Sequence, residues 1–311
     1  MKLRSLVAGL AGGIAATAAG NRVLADRIPP IEPALDGTRH TYQWRGFDVS
    51  WVEAGDPDHP DVVLLHGIHT VASSREFEGV FESLAARHHV IAPDLVGFGT
   101  SDRPALRYTG VLYEALIRDF LRDETERPVV IASSLTASFA AVAAADVDDA
   151  SVVLINPTDE TGARNTFVRE LLRSPVLGTG LFNLLVSKPS IRYFDRELAY
   201  YDAGSVSRDV VDYQYRTAHQ PNARFAPASF VGGFLEPSVP LDAALSGFEG
   251  SVTLVWGREV RRPSLATGRT LADAANARLV VLDRSELLLH DEHPDEFIEA
   301  VSPSLPRFED D

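Results

Sequence analysis

Two adjacent serines lie where the sequence pattern changes abruptly. The segment VVIASSLTASFAAVAAA, residues 129–145, runs from β-prone apolar residues through Ser133 and Ser134 into an alanine-rich run of helix formers. A serine on such a strand-to-helix turn can act as a nucleophile when small residues flank it with the spacing G-x-S-x-G. Ala132 and Thr136 flank Ser134 at that spacing, which predicts Ser134 at the apex of the turn. Alternatively, both serines cap the N-terminus of a helix predicted over residues 135–146.

The composition of the chain argues against several other kinds of chemistry. The 311 residues include no cysteine, which excludes disulfides, a thiolate metal site and a cysteine nucleophile. The nine histidines are scattered without an HExxH motif, and no phosphate-binding loop occurs, so we expect neither a metal nor a cofactor. A net charge of -15 and a pI near 5.0 argue against a nucleic-acid partner, because phosphate binding needs a basic surface.

The elements that must position these serines alternate between strand and helix. The segment TYQWRGFDVSWVEAG predicts two antiparallel strands around an Arg45-Gly46 turn. Six short apolar runs predict strands buried on both faces: DVVLLHG, HHVIAPD, RPVVIAS, ASVVLINP, SVTLVWG and ARLVVLD. Helical patterns cover residues 72–86, 109–123, 135–146, 264–276 and about 294–302. The sequence therefore predicts an α/β fold with a doubly wound, mainly parallel sheet of eight strands.

One long interval interrupts this alternation. No buried strand is predicted for about ninety residues between Asn156 and Ser251, where the patterns are helical. We therefore predict a core made of residues 40–157 and 231–302, and a helical cap or lid made of residues 158–230. The apolar, aromatic-rich segment GLFNLLVSKPSIRYFDRELAYYD indicates a lid over a hydrophobic pocket for a small apolar substrate. The alternative is that this segment forms only the packing faces of small helices.

Five motifs in the order LLHGIHT, APDLVGFGTSDRP, the serine turn, VTLVWGRE and DEHPDEF carry a family likeness. Across residues 40–302 the chain resembles the α/β-hydrolase superfamily. The resemblance implies an oxyanion hole made by the backbone N–H groups of Ile68 and Leu135. It also implies a role in shaping the surrounding loops for His66, Gly67, Asp94, Gly97 and Gly99. For His69 we expect either a substrate contact or a polar position at the mouth of the pocket.

The acid and the base that this family pairs with its serine are not at their expected positions. Val260 stands where the family has an aspartate, and the carboxylates on offer are the adjacent Glu259 and Asp159 after the sixth strand. Leu287 stands where the family has its histidine, and His290 follows three residues later. A displaced triad would therefore combine Ser134 with His290 and with either Glu259 or Asp159.

These features leave three hypotheses for the function. The first is a hydrolase of esters, lactones or related small acyl substrates that uses Ser134 with the displaced acid and base. The second is a catalytically silent binding protein that has kept the pocket. A third is a non-hydrolytic lyase on the same scaffold. We favour the hydrolase because the predicted elbow and oxyanion loop are both present.

The N-terminal residues 1–25 show a targeting-like pattern. Lys2 and Arg4 precede an alanine- and glycine-rich run from Ser5 to Gly20, which fits an export signal and a membrane-touching helix equally well. The run is shorter than the roughly 20 apolar residues that a membrane span needs. We expect a cytoplasmic protein, with membrane contact through residues 1–25 and export as open alternatives. The sequence does not determine the oligomeric state.

The charge balance predicts a dependence of stability on salt. The chain has 44 acidic and 29 basic residues, with lysine only at positions 2 and 188, and in this it resembles proteins of salt-loving archaea. Repulsion among the acids acts over a Debye length of about 30 Å at 0.01 M salt and about 3 Å at 1 M. We expect the urea concentration at the unfolding midpoint to be higher in 1 M KCl than in 0.01 M KCl. Equal midpoints at the two salt concentrations would contradict this expectation.

Overall fold

The computed structural model describes residues 2–306, and for residues 2–12 and 14 it describes the backbone only. Within residues 2–306, eight strands form one sheet in the order β1-β2-β4-β3-β5-β6-β7-β8. The strands β1 and β2 pair antiparallel, as do β2 and β4, and all other neighbours are parallel. Their bounds are Thr38–Trp44, Phe47–Ala54, Asp61–Leu65, His89–Pro93, Val129–Ser133, Ser151–Ile155, Val252–Gly257 and Arg278–Leu282 for β1 to β8. The structure confirms the predicted fold class and every predicted strand.

The helices take the remaining regular positions. Their bounds, from α1 to α13, are Lys2–Ala25, Glu78–Ala85, Gly110–Glu124, Ser134–Ala144, Thr166–Arg173, Leu177–Leu185, Lys188–Phe194, Arg208–Ala218, Phe225–Val231, Leu241–Ser246, Leu265–Ala275, Leu289–Glu292 and Pro294–Val301. Two 3₁₀ turns cover Ser74–Phe77 and Ser302–Ser304, and a π-helical turn covers Asp195–Ala199. The helix predicted over residues 72–86 therefore begins as a 3₁₀ turn and becomes α-helical at Glu78.

Local sequence signals explain where several of these elements begin. The hairpin between β1 and β2 turns at Arg45 and Gly46, whose φ angles of +50° and +86° are those of a two-residue type I′ turn. Polar residues accept a hydrogen bond from the first turn of α3, α5, α8 and α11. These N-cap residues are Thr109, Asn165, Ser207 and Ser264.

The core lies on both faces of the sheet. Along β3, Val63 and Leu65 belong to the buried cluster on one face, whereas Val62 and Leu64 belong to the cluster on the other. This alternation explains the continuous apolar runs, because both faces of a parallel sheet are covered by helices.

Residues 158–230, called the insertion below, contain α5 to α8 and all of α9 except its last residue, Val231. No strand occurs in the stretch between β6 and β7, all of which the structure describes. A third cluster of buried apolar residues, separate from the two on the sheet, holds part of the insertion together and includes Phe182, Ile191 and Val211. Val71, from the loop after β3, is in the same cluster, so the insertion packs onto the end of the sheet where β3 and β5 finish.

The N-terminal helix α1 packs against the insertion. The Asn21 side chain donates to the Val176 carbonyl at 3.0 Å, and the Asn183 amide donates to Asn21 Oδ1 at 3.1 Å. None of the described side chains of α1 belongs to the three buried clusters. Among the described residues, no helix combines the length and the apolar character needed to cross a membrane.

We expect deletion of residues 1–25 to leave the fold stable, because the described side chains of α1 lie outside the buried clusters. In matched 2 M salt, Tm should fall by less than about 4 °C, which corresponds to about 1 kcal/mol for a chain of this size. Differential scanning calorimetry of the full and shortened chains checks this. A fall of 10 °C or more would show that α1 is an integral part of the core.

Candidate active site

Ser134 occupies a sharp turn between β5 and α4. Its φ angle is +55°, in the left-handed region, whereas Ser133 before it is extended, with φ −107°. A non-glycine residue in this conformation is strained by roughly 1–3 kcal/mol, and such strain is concentrated at functional sites. Ser134 is partly exposed, but Ser133 is only 2% exposed. The Ser133 hydroxyl does not cap α4, so its side chain lacks the capping role offered by the alternative interpretation.

The loop after β3 approaches this turn closely at Gly67. A Cβ atom at position 67 would lie 3.3 Å from Ser133 Oγ and 3.4 Å from Ser134 Cβ. A larger residue would therefore push the loop away from the serine. This close approach explains why the loop needs glycine at position 67.

Two backbone N–H groups beside Ser134 are free to bind an anion. Within residues 2–306, neither the Ile68 N–H nor the Leu135 N–H has an acceptor. The loop that carries Ile68 is held by His66, whose Nε2 accepts from the Leu95 N–H at 3.0 Å. Because Nε2 accepts, the proton is on Nδ1, which donates to the Gly67 carbonyl at 2.7 Å. An oxyanion hole requires N–H groups that are free to donate in this way.

The predicted loop-shaping residues after β4 contact one another. The Asp94 carboxylate accepts hydrogen bonds from the Ser74 N–H at 2.8 Å and from the Thr100 N–H at 2.7 Å. Gly99 has φ +50°, and a Cβ atom there would lie 1.9 Å from Asp94 Cγ. Gly97 also has a positive φ, of +99°. Asp94 therefore fastens this loop to the 3₁₀ turn that precedes α2.

A cavity of about 430 Å³ opens at Ser134. The loop after β3 and Leu287 form one part of its wall, and the insertion supplies Leu185, Ile191, Phe194, Leu198 and Phe230. The lining is predominantly apolar and has the size of a small-molecule site. Three side chains with titratable groups also line it, namely His69, Glu76 and Asp195.

Leucines line the cavity where the family's histidine was expected. Leu287 and Leu288 both face it, and Asn156 fixes the turn that carries them. The Asn156 amide donates to the Leu287 carbonyl at 3.1 Å, while its Oδ1 accepts from the Gly257 N–H at 2.9 Å. The turn is therefore held in place, but it presents no imidazole to Ser134.

The displaced histidine, His290, is enclosed by other side chains. It is fully buried on α12, with its ring centroid 4.8 Å from that of Phe77 and 5.9 Å from that of Phe297. Its Nε2 lies 3.4 Å from Glu76 Oε1. His290 is not among the residues that line the cavity.

The two predicted acids hold backbone groups elsewhere. Glu259 accepts from the Ser285 N–H at 2.9 Å, and Asp159 accepts from the Leu241 N–H at 2.9 Å at the start of α10. In the part of the chain that the structure describes, neither carboxylate lines the cavity or pairs with His290. Of the four residues predicted as catalytic, Ser134 alone lines the cavity.

Glu76 is a buried carboxylate that the sequence analysis did not single out. Its Oε1 accepts from the Gly67 N–H at 3.0 Å and lies beside His290, so one oxygen connects the loop after β3 to that histidine. Burial alone would raise the pKa of Glu76, but the neighbouring imidazole of His290 holds it below its ordinary value. Glu76 lies four residues before the buried Val80. A carboxylate in that helical register was a signal that could have identified it.

Asp195 is a second buried carboxylate that the sequence analysis did not single out. It begins the π-helical turn and is 6% exposed, and its Oδ2 has no hydrogen-bond partner within residues 2–306. Burial raises the pKa of Asp195 to about 7, against the opposing effects of the Gln214 amide and the Arg75 charge. Its place four residues after the buried Ile191 was the corresponding sequence signal.

His69 follows Ile68 in the loop after β3 and lines the cavity. Burial lowers the pKa of His69 to about 4, so its imidazole is neutral at pH 7. Its Nδ1 accepts from the Val71 N–H at 3.4 Å, which leaves the proton on Nε2. Among the described residues, no cluster of three or more histidines or carboxylates could hold a metal ion.

Comparisons with known proteins identify the family of the chain. The sequence model of a family described as the alpha/beta hydrolase family matches residues 62–300. An uncharacterized protein of Mycobacterium tuberculosis is 34% identical over 116 residues, which cover 36% of this chain and 33% of that protein. The match thus spans about a third of that relative's length.

Two solved structures share the fold. A 2-hydroxy-6-oxo-6-phenylhexa-2,4-dienoate hydrolase from Rhodococcus has a TM-score of 0.68 at 21% identity, covering 87% of this chain and 99% of its own. An enol-lactonase from Burkholderia xenovorans has a TM-score of 0.66 at 19% identity, covering 85% and 98%. The family match extends over most of the chain, and the chain belongs to the α/β-hydrolase family.

The buried carboxyl of Asp195 predicts a specific dependence of stability on pH. Its pKa is about 7 in the folded chain, against an ordinary value of 3.8. Between those two pH values the folded state keeps a proton that the unfolded state has lost, so this group's contribution to the free energy of unfolding falls as pH rises. Asp195→Asn removes this effect. The free energy of unfolding of the variant minus that of the wild type should therefore increase from pH 4.5 to pH 8, by about 1.4 kcal/mol per pKa unit.

Urea unfolding in molar salt at both pH values measures this difference. Glu197→Gln, exposed on the same turn, is the matched control and should show little change with pH relative to the wild type. The prediction is refuted if the difference in free energy of unfolding between Asp195→Asn and the wild type is the same at pH 4.5 and at pH 8.

Proposed function

We propose that this member of the α/β-hydrolase family cleaves esters, lactones or related small acyl substrates, with Ser134 as the nucleophile. The observation that carries the proposal is the left-handed Ser134 at the floor of an apolar cavity, beside the free N–H groups of Ile68 and Leu135. Strain holds the hydroxyl toward the cavity, and the N–H groups can receive the negative charge that develops on a carbonyl oxygen.

The proposed reaction has two stages. Ser134 Oγ attacks the substrate carbonyl carbon, the carbonyl oxygen becomes an anion between the two N–H groups, and the hydroxyl proton passes to a base. The tetrahedral intermediate then expels the alcohol, which takes up that proton, and an acyl group remains on Ser134. In the second stage water attacks the carbonyl carbon of the acyl group and gives a proton to the base. The second tetrahedral intermediate then expels Ser134 Oγ, which takes up that proton, and the acid product leaves.

We assign the base to the Glu76–His290 pair. Glu76 lines the cavity beside Gly67, its Oε2 has no partner within residues 2–306, and His290 lies 3.4 Å behind its other oxygen. Two interacting buried groups take up a proton as a pair. In this arrangement Glu76 faces the cavity and receives the serine proton, and the buried His290 is the partner of its carboxylate. Glu259 and Asp159 then serve to position the turn after β8 and the start of α10.

One observation favours a second candidate, a binding protein without catalytic activity. Leu287 and Leu288 place apolar surface where a base is expected, and His290 is closed off from the cavity by its neighbours. A chain that had lost its base would keep the cavity and bind the apolar ligand unchanged. Chemical labelling of the serine separates the two candidates without knowledge of the substrate.

We expect an alkyl fluorophosphonate to label Ser134 in the folded protein, with the site mapped by peptide mass spectrometry. Ser134→Ala should abolish labelling. Ser133→Ala is the matched control and should keep it, since Ser133 is 2% exposed and lies off the apex of the turn. An unlabelled folded protein whose cavity still binds an apolar ligand would favour the binding protein.

The assigned base predicts how fast that label forms. Glu76→Gln keeps an oxygen for the Gly67 N–H but removes the carboxylate, and it should slow labelling by about 10²- to 10⁴-fold, as should His290→Gln. Glu259→Gln and Asp159→Asn should slow it by much less. Leu287→His, which places an imidazole in the cavity, should speed it.

Stopped-time labelling, with Tm measured for each variant, checks these rates. The assignment is wrong if Glu76→Gln and His290→Gln fold normally and label at the wild-type rate.

A further inference from the structure

The cavity wall contains a buried acceptor that the proposed chemistry does not use, the Asp195 carboxyl on the insertion. Given the proposed function, we propose that Asp195 receives a hydroxyl group of the substrate, so that the cavity takes acyl compounds whose apolar chain bears a hydroxyl. Asp195 lies in the wall of the cavity that Ser134 also lines, and its Oδ2 atom has no hydrogen-bond partner within residues 2–306.

Asp195 is enclosed, and one oxygen of its carboxyl group has no partner. It lines the same cavity as Ser134, is 6% exposed, and has an Oδ2 atom without a hydrogen-bond partner within residues 2–306. The nearby cation Arg75 is engaged elsewhere, since it pairs with Glu78 at 2.7 Å and with Asp291 at 3.3 Å. No ion pair in the described structure includes Asp195. A buried oxygen without a donor costs free energy, so a donor on a ligand would satisfy Oδ2.

The polar atoms around Asp195 also include an unsatisfied acceptor rather than a spare donor. Gln214 lies beside Asp195, is 6% exposed, and has an Oε1 atom without a partner in the described chain. A ligand that contacts this part of the wall must therefore bring the donor. A hydroxyl is the group of choice, because an ammonium would have to lose its hydration in a mainly apolar cavity.

The position of Asp195 is fixed relative to the serine. The π-helical turn that it begins is closed by the Tyr200 N–H, which donates to the Asp195 carbonyl at 3.0 Å. The far end of this turn is fastened to the turn after β8, where the Leu288 N–H donates to the Ala199 carbonyl at 2.9 Å. The hydroxyl must consequently stand at one particular distance from the reacting carbonyl. Selectivity for the hydroxyl should thus depend sharply on chain length.

An apolar ligand of the same length is expected to bind more weakly. It would seal Asp195 from water without replacing the lost hydrogen bond, whereas a hydroxyl restores that bond. The difference should amount to about tenfold or more in dissociation constant. At pH 8 the carboxyl, whose pKa burial raises to about 7, is mostly ionised and can only accept.

Binding to the full-length Ser134→Ala chain, which cannot cleave the ligand, tests the inference. The ligands are methyl esters of straight-chain fatty acids with four to ten carbons and the same esters with a terminal hydroxyl, titrated by calorimetry at pH 8 in molar salt. At one chain length the hydroxy ester should bind at least about tenfold more tightly than its plain counterpart. Plain esters that bind as tightly or more tightly at every length would overturn the inference, as would no binding by either series.

Variants of Asp195 in the same background assign the effect. Asp195→Leu fills similar volume without a buried charge, so it should fold, and it should bind the plain ester more tightly than the hydroxy ester at that chain length. Asp195→Asn keeps an acceptor oxygen and should retain part of the hydroxyl preference. Glu197→Gln, exposed on the same turn, should leave the preference unchanged. A preference that survives Asp195→Leu would show that another group receives the hydroxyl.

This binding experiment and the labelling experiment fail separately. A chain that prefers the hydroxy ester but never labels at Ser134 would contradict the hydrolase and support the ligand class. A chain that labels at Ser134 but shows no preference would contradict the ligand class alone.

Discussion

The left-handed backbone at Ser134 is the constraint on which the rest of the site depends. A parallel strand that passes directly into a helix has no loop in which to make the turn, so one residue must adopt an unfavourable φ. The surrounding core keeps it there, since Ala132 and Thr136 are fully buried and the Thr158 N–H donates to the Ser134 carbonyl at 3.3 Å. Gly67 then lets the loop after β3 approach the serine, because a Cβ atom at position 67 would lie 3.4 Å from Ser134 Cβ.

Glu76 links this point to the C-terminal part of the chain. A carboxylate buried this deeply needs partners that offset its lost hydration. Its Oε1 accepts from the Gly67 N–H and lies 3.4 Å from His290 Nε2. Leu287 stands where the resemblance implies a histidine, and His290 is the partner of a buried acid. Glu76 therefore contacts both the loop after β3 and His290. A change in the loop or in the histidine alters the charge balance of the other through this carboxylate.

The sequence was sufficient for the fold because the strands of a doubly wound sheet are short, apolar and bounded by turns. Every predicted strand is present, and Ser134 lies at the predicted turn. The contacts of the charged residues could not be predicted. Spacing along the chain predicts His290, Glu259 and Asp159, but which carboxylate meets which imidazole depends on side chains from distant segments, as the Glu76–His290 pair shows. Asp195 was missed for the same reason, since its burial arises only when the insertion packs over the sheet.

A crystal structure of the fluorophosphonate adduct tests the central claim most directly, because it shows the reacting atom and the anion site together. The account predicts phosphorus bonded to Ser134 Oγ, with the phosphoryl oxygen about 2.7–3.1 Å from both the Ile68 and the Leu135 nitrogen atoms. A phosphoryl oxygen that points away from both N–H groups, or an adduct on any other residue, would contradict it.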